Sequence, residues 1–147
     1  MEAGALFPAP LFTPSTKAGL GFHDQNISYQ DLVKLIGFVA AHQIRALSLS
    51  IYCEMERIAS LRGIEILDTK FEFGYTCTGE IMLIDAVGTS DESRFNPAKD
   101  KQRFRNWLMS AGFDKKTPIH LPDDIVDQVS QDYIEGCKML TGITIVL

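Results

Sequence analysis

Residues 66–74, ILDTKFEFG, carry two different surfaces on one extended segment. Successive side chains of a strand point to opposite faces. Leu67, Thr69, Phe71 and Phe73 would then form a core face. Ile66, Asp68, Lys70 and Glu72 would form the other, apolar at its start and then minus, plus, minus. Spacing alone favours a solvated face with cross-strand pairs. Three features point the other way. Ile64 and Ile66 precede the charges on the same face, so a buried stripe runs into a charged one. Asp85 can join from a partner strand, and the hydroxyl- and Arg-bearing loop TSDESR follows that strand. Two carboxylates converging from neighbouring strands suit a hard cation such as Mg²⁺, which takes oxygen ligands and keeps waters and phosphate oxygens. A Lys between them can hold an anionic substrate as a point charge.

The rest of the chain supplies a frame for that segment. Residues 1–27, with Pro8, Pro10 and Pro14, read as extended and loop-like. Ser28 and Asp31 mark a helix start, with Ile27 and Leu32 placed as a hydrophobic staple. Leu32, Leu35, Ile36 and Val39 share a helical face, and a second run, Ile44 to Ile58, ends near Gly63. A break between the two is expected near residues 41–43. Residues 64–74 and 81–87 then form a hairpin joined by YTCTGE, with Gly79 as its turn residue. A turn centred near Cys77–Thr78 sets Lys70 opposite Asp85 and Glu72 opposite Leu83. A slip of one residue would move Asp85 to the other face. A short helix around RFRNWLMS closes at Gly112, a longer one runs from Pro122–Asp123 to Thr141–Gly142, and ITIVL ends the chain as a strand.

Length and composition narrow the function classes. A chain of 147 residues is one domain long, and 46% hydrophobic with 22% charged residues is ordinary for a soluble globular protein. A net charge of −5 gives no basis for nucleic-acid or anionic-membrane binding, so neither partner is expected. No apolar run approaches a bilayer span, and MEAGALFPAPLF lacks a basic leader region. Cys53, Cys77 and Cys137 have no metal-ligand spacing and are expected to be buried and reduced, in a cytoplasmic protein. Three weaker candidates stand beside the central strand. Lys17 in FTPSTK can bind an anion, His23–Asp24 can exchange a proton, and Arg94, Arg103 and Arg105 can clamp phosphate or bridge to nearby carboxylates.

Taken together, these segments resemble the SAICAR synthetase family, phosphoribosylaminoimidazole-succinocarboxamide synthases of purine biosynthesis. The likeness rests on ILDTKFEFG, on LFTPSTKA followed by HDQNIS, on LIDAVGTSDESRF, and on DKQRFRNWL, LPDDIV and YIEGCKMLTG. These matches are collinear and cover roughly residues 8–142. Within them Ala86 and Gly19 replace glutamates, Gly88 and Ser90 replace Leu and Pro, and Asn96 stands where Trp is usual.

The resemblance implies an α+β domain with a small antiparallel sheet, a central hairpin packed with helices. Residues 1–147 would be a single domain equivalent to the C-terminal, substrate-side lobe of SAICAR synthetase (ATP-grasp-like), without the N-terminal ATP-binding lobe. It implies an ATP-dependent carbon–nitrogen ligase, joining L-aspartate to carboxyaminoimidazole ribotide, with Mg²⁺ as cofactor and ATP as co-substrate. Glu72 and Asp85 would be the metal ligands, and Asp68 and Lys70 would contact the imidazole nucleotide. Asp91, Ser93, Arg94 and Arg105 would form its ribose-phosphate side, and Lys17 with Asp24 would line the neighbouring pocket. The chain is then expected to work as a fragment or split half, with a separate ATP-binding lobe or through self-association. The alternative is a non-catalytic remnant that binds a purine-pathway nucleotide or a partner chain.

Overall fold

The computed structural model describes residues 7–19 and 23–145. Expectations for residues 1–6, for 20–22 and for the last two positions of the C-terminal strand lie outside the described residues. Eight elements follow in order: helices α1 (Tyr29–Ile36) and α2 (Phe38–Ser60), strands β1 (Glu65–Thr69), β2 (Glu72–Tyr75), β3 (Ile81–Ile84) and β4 (Ser93–Asn96), then helices α3 (Gln102–Ser110) and α4 (Asp123–Thr141). This is an α+β fold with small antiparallel sheets. The chain groups into two compact units, one of Met1–Glu54 with Phe71–Asp85 and one of Met55–Lys70 with Ala86–Leu147.

In the first unit the helix start lies where Ser28 predicts it. The Ser28 side chain accepts from the Asp31 N–H at 3.1 Å, and its hydroxyl donates to the Asp31 carboxylate at 2.7 Å. A hydrogen bond from Lys34, and then the bond from Ser28, hold the Asp31 carboxyl below its ordinary value. The break between helices falls at Gly37, earlier than residues 41–43. Gly37 takes φ +81°, a left-handed conformation that costs a glycine little. The hydrophobic repeat runs on through this point, so periodicity could not locate it.

The expected hairpin is two separate pairings. Residues 64–74 are not one strand: β1 ends at Thr69, and β2 begins at Glu72. β2 pairs with β3 in the first unit, and Glu72 lies opposite Ile84 rather than Leu83. The reason is the turn, where the Thr76 N–H donates to the Glu80 carbonyl at 2.9 Å and Gly79 takes φ +84°. That centres the turn on Thr78, half a residue beyond the expected point, and shifts the register by one. β1 pairs instead with β4 in the second unit.

The second unit's core gathers on the β1–β4 pair. Ile64, Ile66 and Phe95 are buried, and so is Ser93. The expected core position Leu67 is 37% exposed, because the register shifts between Ile66 and Asp68. At the end of α2 the Ile64 N–H donates to the Ala59 carbonyl and Gly63 takes φ +72°, the expected C-terminal cap. α3 and α4 follow the predicted bounds closely, with Gly142 at φ +77° ending α4. Residues 143–145 form no strand. Cys53 and Cys77 are exposed and Cys137 half-buried, so the cysteines are not the core residues expected.

Candidate functional site

The second unit holds the residues expected to meet the imidazole nucleotide. Antiparallel pairing sets Asp68 of β1 opposite Arg94 of β4. The guanidinium forks onto the carboxylate, with Nε 2.9 Å from both oxygens and NH2 bonded to Oδ2. Both side chains are about half exposed, so the pair is open to solvent and to ligand. The hydrogen bond to Asp68, and then its charge, raise the Arg94 pKa above its ordinary value. A planar fork of this kind grips carboxylate and phosphate alike.

Backbone contacts draw the remaining members to the same strand ends. The Lys70 N–H donates to the Glu92 carbonyl at 2.9 Å, just beyond the last β1–β4 pair. The Glu92 and Ser93 N–H groups both donate to the Thr89 carbonyl, folding TSDE into a turn before β4. Ser93 is buried, and its hydroxyl shares a 2.9 Å hydrogen bond with Thr69. Asp91 projects from the turn, where its Oδ1 accepts from the Tyr133 hydroxyl at 3.0 Å. Arg105 is exposed on α3, held in the helix by its N–H bond to the Lys101 carbonyl.

Two further carboxylates organise this unit, and sequence reasoning missed their roles. Asp100 is 2% exposed and accepts from the Phe95 N–H at 2.8 Å and the Gln102 N–H at 2.7 Å, tying the end of β4 to the start of α3. Asp132 of α4 is 5% exposed and bonded to both Lys99 and Arg103. Burial pushes its carboxyl up, but the bonds from Arg103 and then Lys99 outweigh that and leave it below the ordinary value. Of the two roles offered by sequence for Arg103, phosphate clamp or bridge to a nearby carboxylate, it takes the second, with Asp132. The available signal was weak: a lone Asp on the apolar side of a helical pattern and a Tyr beside it, whose hydroxyl needs a partner when covered.

The first unit holds the other expected set. The Lys17 ammonium bonds the Glu72 carboxylate, whose side chain is only 14% exposed. Asp24 accepts from the Ala18 N–H at 2.8 Å. A bridge between Ser15 and Asn26, with the Thr16 N–H on the Gln25 carbonyl, pairs the two arms carrying Lys17 and Asp24. Asp85 directly follows Ile84, the partner of Glu72, and takes φ +68°, a left-handed conformation Asp tolerates better than most residues. The two carboxylates thus stand at the same end of the β2–β3 pair. Among the described residues, no group of three or more His, Cys, Asp or Glu side chains clusters as a metal cage. No described helix is long and apolar enough to cross a membrane.

Comparison with known proteins places the fold and the family. The solved SAICAR-synthase of Saccharomyces cerevisiae, in complex with SAICAR, superposes with a TM-score of 0.82 at 37% identity, over 96% of this chain and 49% of that one. A SAICAR synthetase from Pyrococcus horikoshii, 24% identical, shares the fold at a TM-score of 0.71, over 96% of this chain and 56% of that one. The phosphoribosylaminoimidazole-succinocarboxamide synthase of Streptomyces coelicolor is 41% identical over 155 residues, covering 95% of this chain and 52% of its own length. The chain spans about half the length of the curated relatives it matches. Residues 1–119 match the family SAICAR synthetase. The chain belongs to the SAICAR synthetase family.

Proposed function

We propose that this chain supplies the substrate-side, C-terminal part of a SAICAR synthetase, a ligase of cytoplasmic purine biosynthesis that uses ATP to join L-aspartate to carboxyaminoimidazole ribotide. The observation that carries this reading is the β1–β4 pairing. It brings Asp68 against Arg94 and the Lys70 backbone against Glu92, so two segments 20 or more residues apart share one strand end. Asp68 and Lys70 would orient the imidazole ring and its carboxylate. Arg94 and Arg105 would take the phosphate, with Asp91 on the sugar side and the buried Ser93 behind it, its hydroxyl on Thr69. Arg94 is already committed to a carboxylate, and exchanging half of that fork for phosphate oxygens suits its geometry.

The first unit's donors fit Mg²⁺. Glu72 and Asp85 would hold it, since the ion is usually bound through one or two carboxylates with waters and phosphates completing the shell. A largely covered Glu72 carboxylate that takes the Lys17 ammonium is a carboxylate suited to a cation. Bound there, the ion would offset charge on a transferring phosphoryl group. Lys17 and Asp24 would then orient the incoming substrates. An ATP-binding lobe, on this polypeptide or on a partner chain, would complete the reaction.

Calorimetric titration with carboxyaminoimidazole ribotide and Mg²⁺ tests the site. Saturable binding that Lys70→Ala removes is the expected result. Binding indifferent to Lys70→Ala would overturn the assignment. The 147-residue chain alone should form no product from ATP and aspartate, and turnover at an ordinary enzymatic rate would show that no further lobe is required.

A further inference from the structure

Tyr133 belongs to none of the segments assigned a role above. It lies on α4, half-buried, and its hydroxyl reaches across 42 residues of sequence to the exposed carboxylate of Asp91. The turn that carries Asp91 is closed by backbone bonds to the Thr89 carbonyl, which fix the chain but leave the carboxylate's own torsions unset. Among the described residues, Tyr133 is the group that hydrogen-bonds the Asp91 side chain. The phenol is pushed up to about 12, first by burial and then by the hydrogen bond to Asp91; Asp100 adds to the rise and Arg105 opposes it. Asp91, one of the residues assigned to the ribose-phosphate side, is therefore in direct contact with this phenol. At ordinary pH that phenol keeps its proton and remains a donor.

We infer that Tyr133 is a positioning residue for the nucleotide sugar: its hydroxyl occupies one oxygen of Asp91 and turns the carboxylate to accept a ribose hydroxyl with the other. A carboxylate bonded to a sugar hydroxyl is a common way of reading ribose. A neutral donor behind it fixes orientation without cancelling its charge, as a Lys or Arg would. The inference rests on the nucleotide site proposed above.

The test is calorimetry of the whole chain with carboxyaminoimidazole ribotide and Mg²⁺, comparing wild type, Lys70→Ala, Tyr133→Phe, Asp91→Asn and the Tyr133→Phe/Asp91→Asn double variant. Tyr133→Phe keeps the ring and its packing. It should weaken binding about 3- to 10-fold, the worth of one hydrogen bond. The double variant should bind no more weakly than Asp91→Asn, because Tyr133 acts only through Asp91. Additive losses, or a Tyr133→Phe affinity equal to wild type, overturn the inference while binding abolished by Lys70→Ala leaves the site standing. Absence of nucleotide binding by the wild type, or binding that ignores Lys70→Ala, overturns the site and this role together.

Discussion

Replacing Asp100 by Ala should destabilise the second unit more than any exposed charge change. The carboxylate is 2% exposed and accepts two backbone N–H bonds, at 2.8 Å from Phe95 and 2.7 Å from Gln102. The Phe95 donor belongs to a residue only 3% exposed, so Ala leaves it without an acceptor. An unsatisfied buried donor costs about 1–3 kcal/mol. The Gln102 donor begins α3 and is half-buried, so water can replace part of the lost bond, and one such hydrogen bond is worth about 1 kcal/mol. Together these give roughly 2–4 kcal/mol, a large fraction of the 5–15 kcal/mol typical of a domain. Asp100→Asn keeps one acceptor oxygen and should recover about half of that. Urea unfolding followed by fluorescence of Trp107, the one tryptophan and a residue of α3, reads both variants. With a urea slope of about 1–3 kcal/mol/M, the Ala midpoint should fall by roughly 1–2 M. A change of less than about 0.5 kcal/mol for Ala would refute the account, since surface substitutions do as much. An Asn variant no better than Ala would place the effect in the carboxylate's charge rather than in its two bonds.

Asp132→Ala should cost about 1–3 kcal/mol at neutral pH, less than a fully buried pair because Arg103 is half exposed. Its folded carboxyl is depressed, so the stabilisation is present above the ordinary aspartate value of 3.8 and is lost as pH falls through the lower folded value. Acid unfolding curves of wild type and variant should therefore converge below about pH 4, and a constant gap would refute the linkage. Gly136→Ala should destabilise by about 1–2 kcal/mol in thermal melts, although Ala normally favours a helix, because its Cβ would lie 3.0 Å from the Lys99 Cβ and 3.1 Å from the Lys99 carbonyl oxygen; a stabilised variant would contradict the close packing. In the first unit Phe38, Val39 and Tyr75 are exposed around a depression of about 340 Å³, so sedimentation should show concentration-dependent association that Val39→Lys reduces. A monomer at all concentrations would refute that.

Local signals were legible in the sequence where one residue decides the outcome. Ser28 starts α1, Gly63 ends the turn after α2, and Pro122 and Gly142 bracket α4, because caps act within a few residues. Pairing between distant strands was not legible. The tetrapeptide SRFN alternates buried and exposed, but it sits within a polar run and has no flanking pattern to announce a strand. β1 and β2 read as one segment because side-chain alternation continues across Lys70–Phe71 while the hydrogen-bonding partner changes. The site followed the same division. Resemblance assigned Asp68 and Arg94 to one ligand, yet only the β1–β4 register sets them opposite each other. The partners of Tyr133 and Asp132 were not legible either, since a polar atom that finds its partner through tertiary packing leaves no local trace.

The register shift in β1 resolves how a buried stripe can run into charged residues. Ile64 and Ile66 are buried, and strict alternation would send Asp68 to the same covered side. In an unbroken pairing with Ile66 opposite Phe95, Asp68 would oppose Ser93, which is 3% exposed. That would put an ionised carboxylate against the core, at a desolvation cost of several kcal/mol. The shift between Ile66 and Asp68 inserts Leu67 as an extra residue, so that Asp68 meets Arg94 and Thr69 meets Ser93. The partly exposed Leu67 is the consequence, a bulge of the kind that re-aims a neighbouring side chain. The same inserted residue keeps Ile66 on Phe95 and turns Asp68 outward to the half-exposed Arg94 fork. Asp68 of ILDTKFEFG is therefore neither a continuation of the core stripe nor an unpaired edge residue. It meets Arg94 because the strand gains one residue at Leu67.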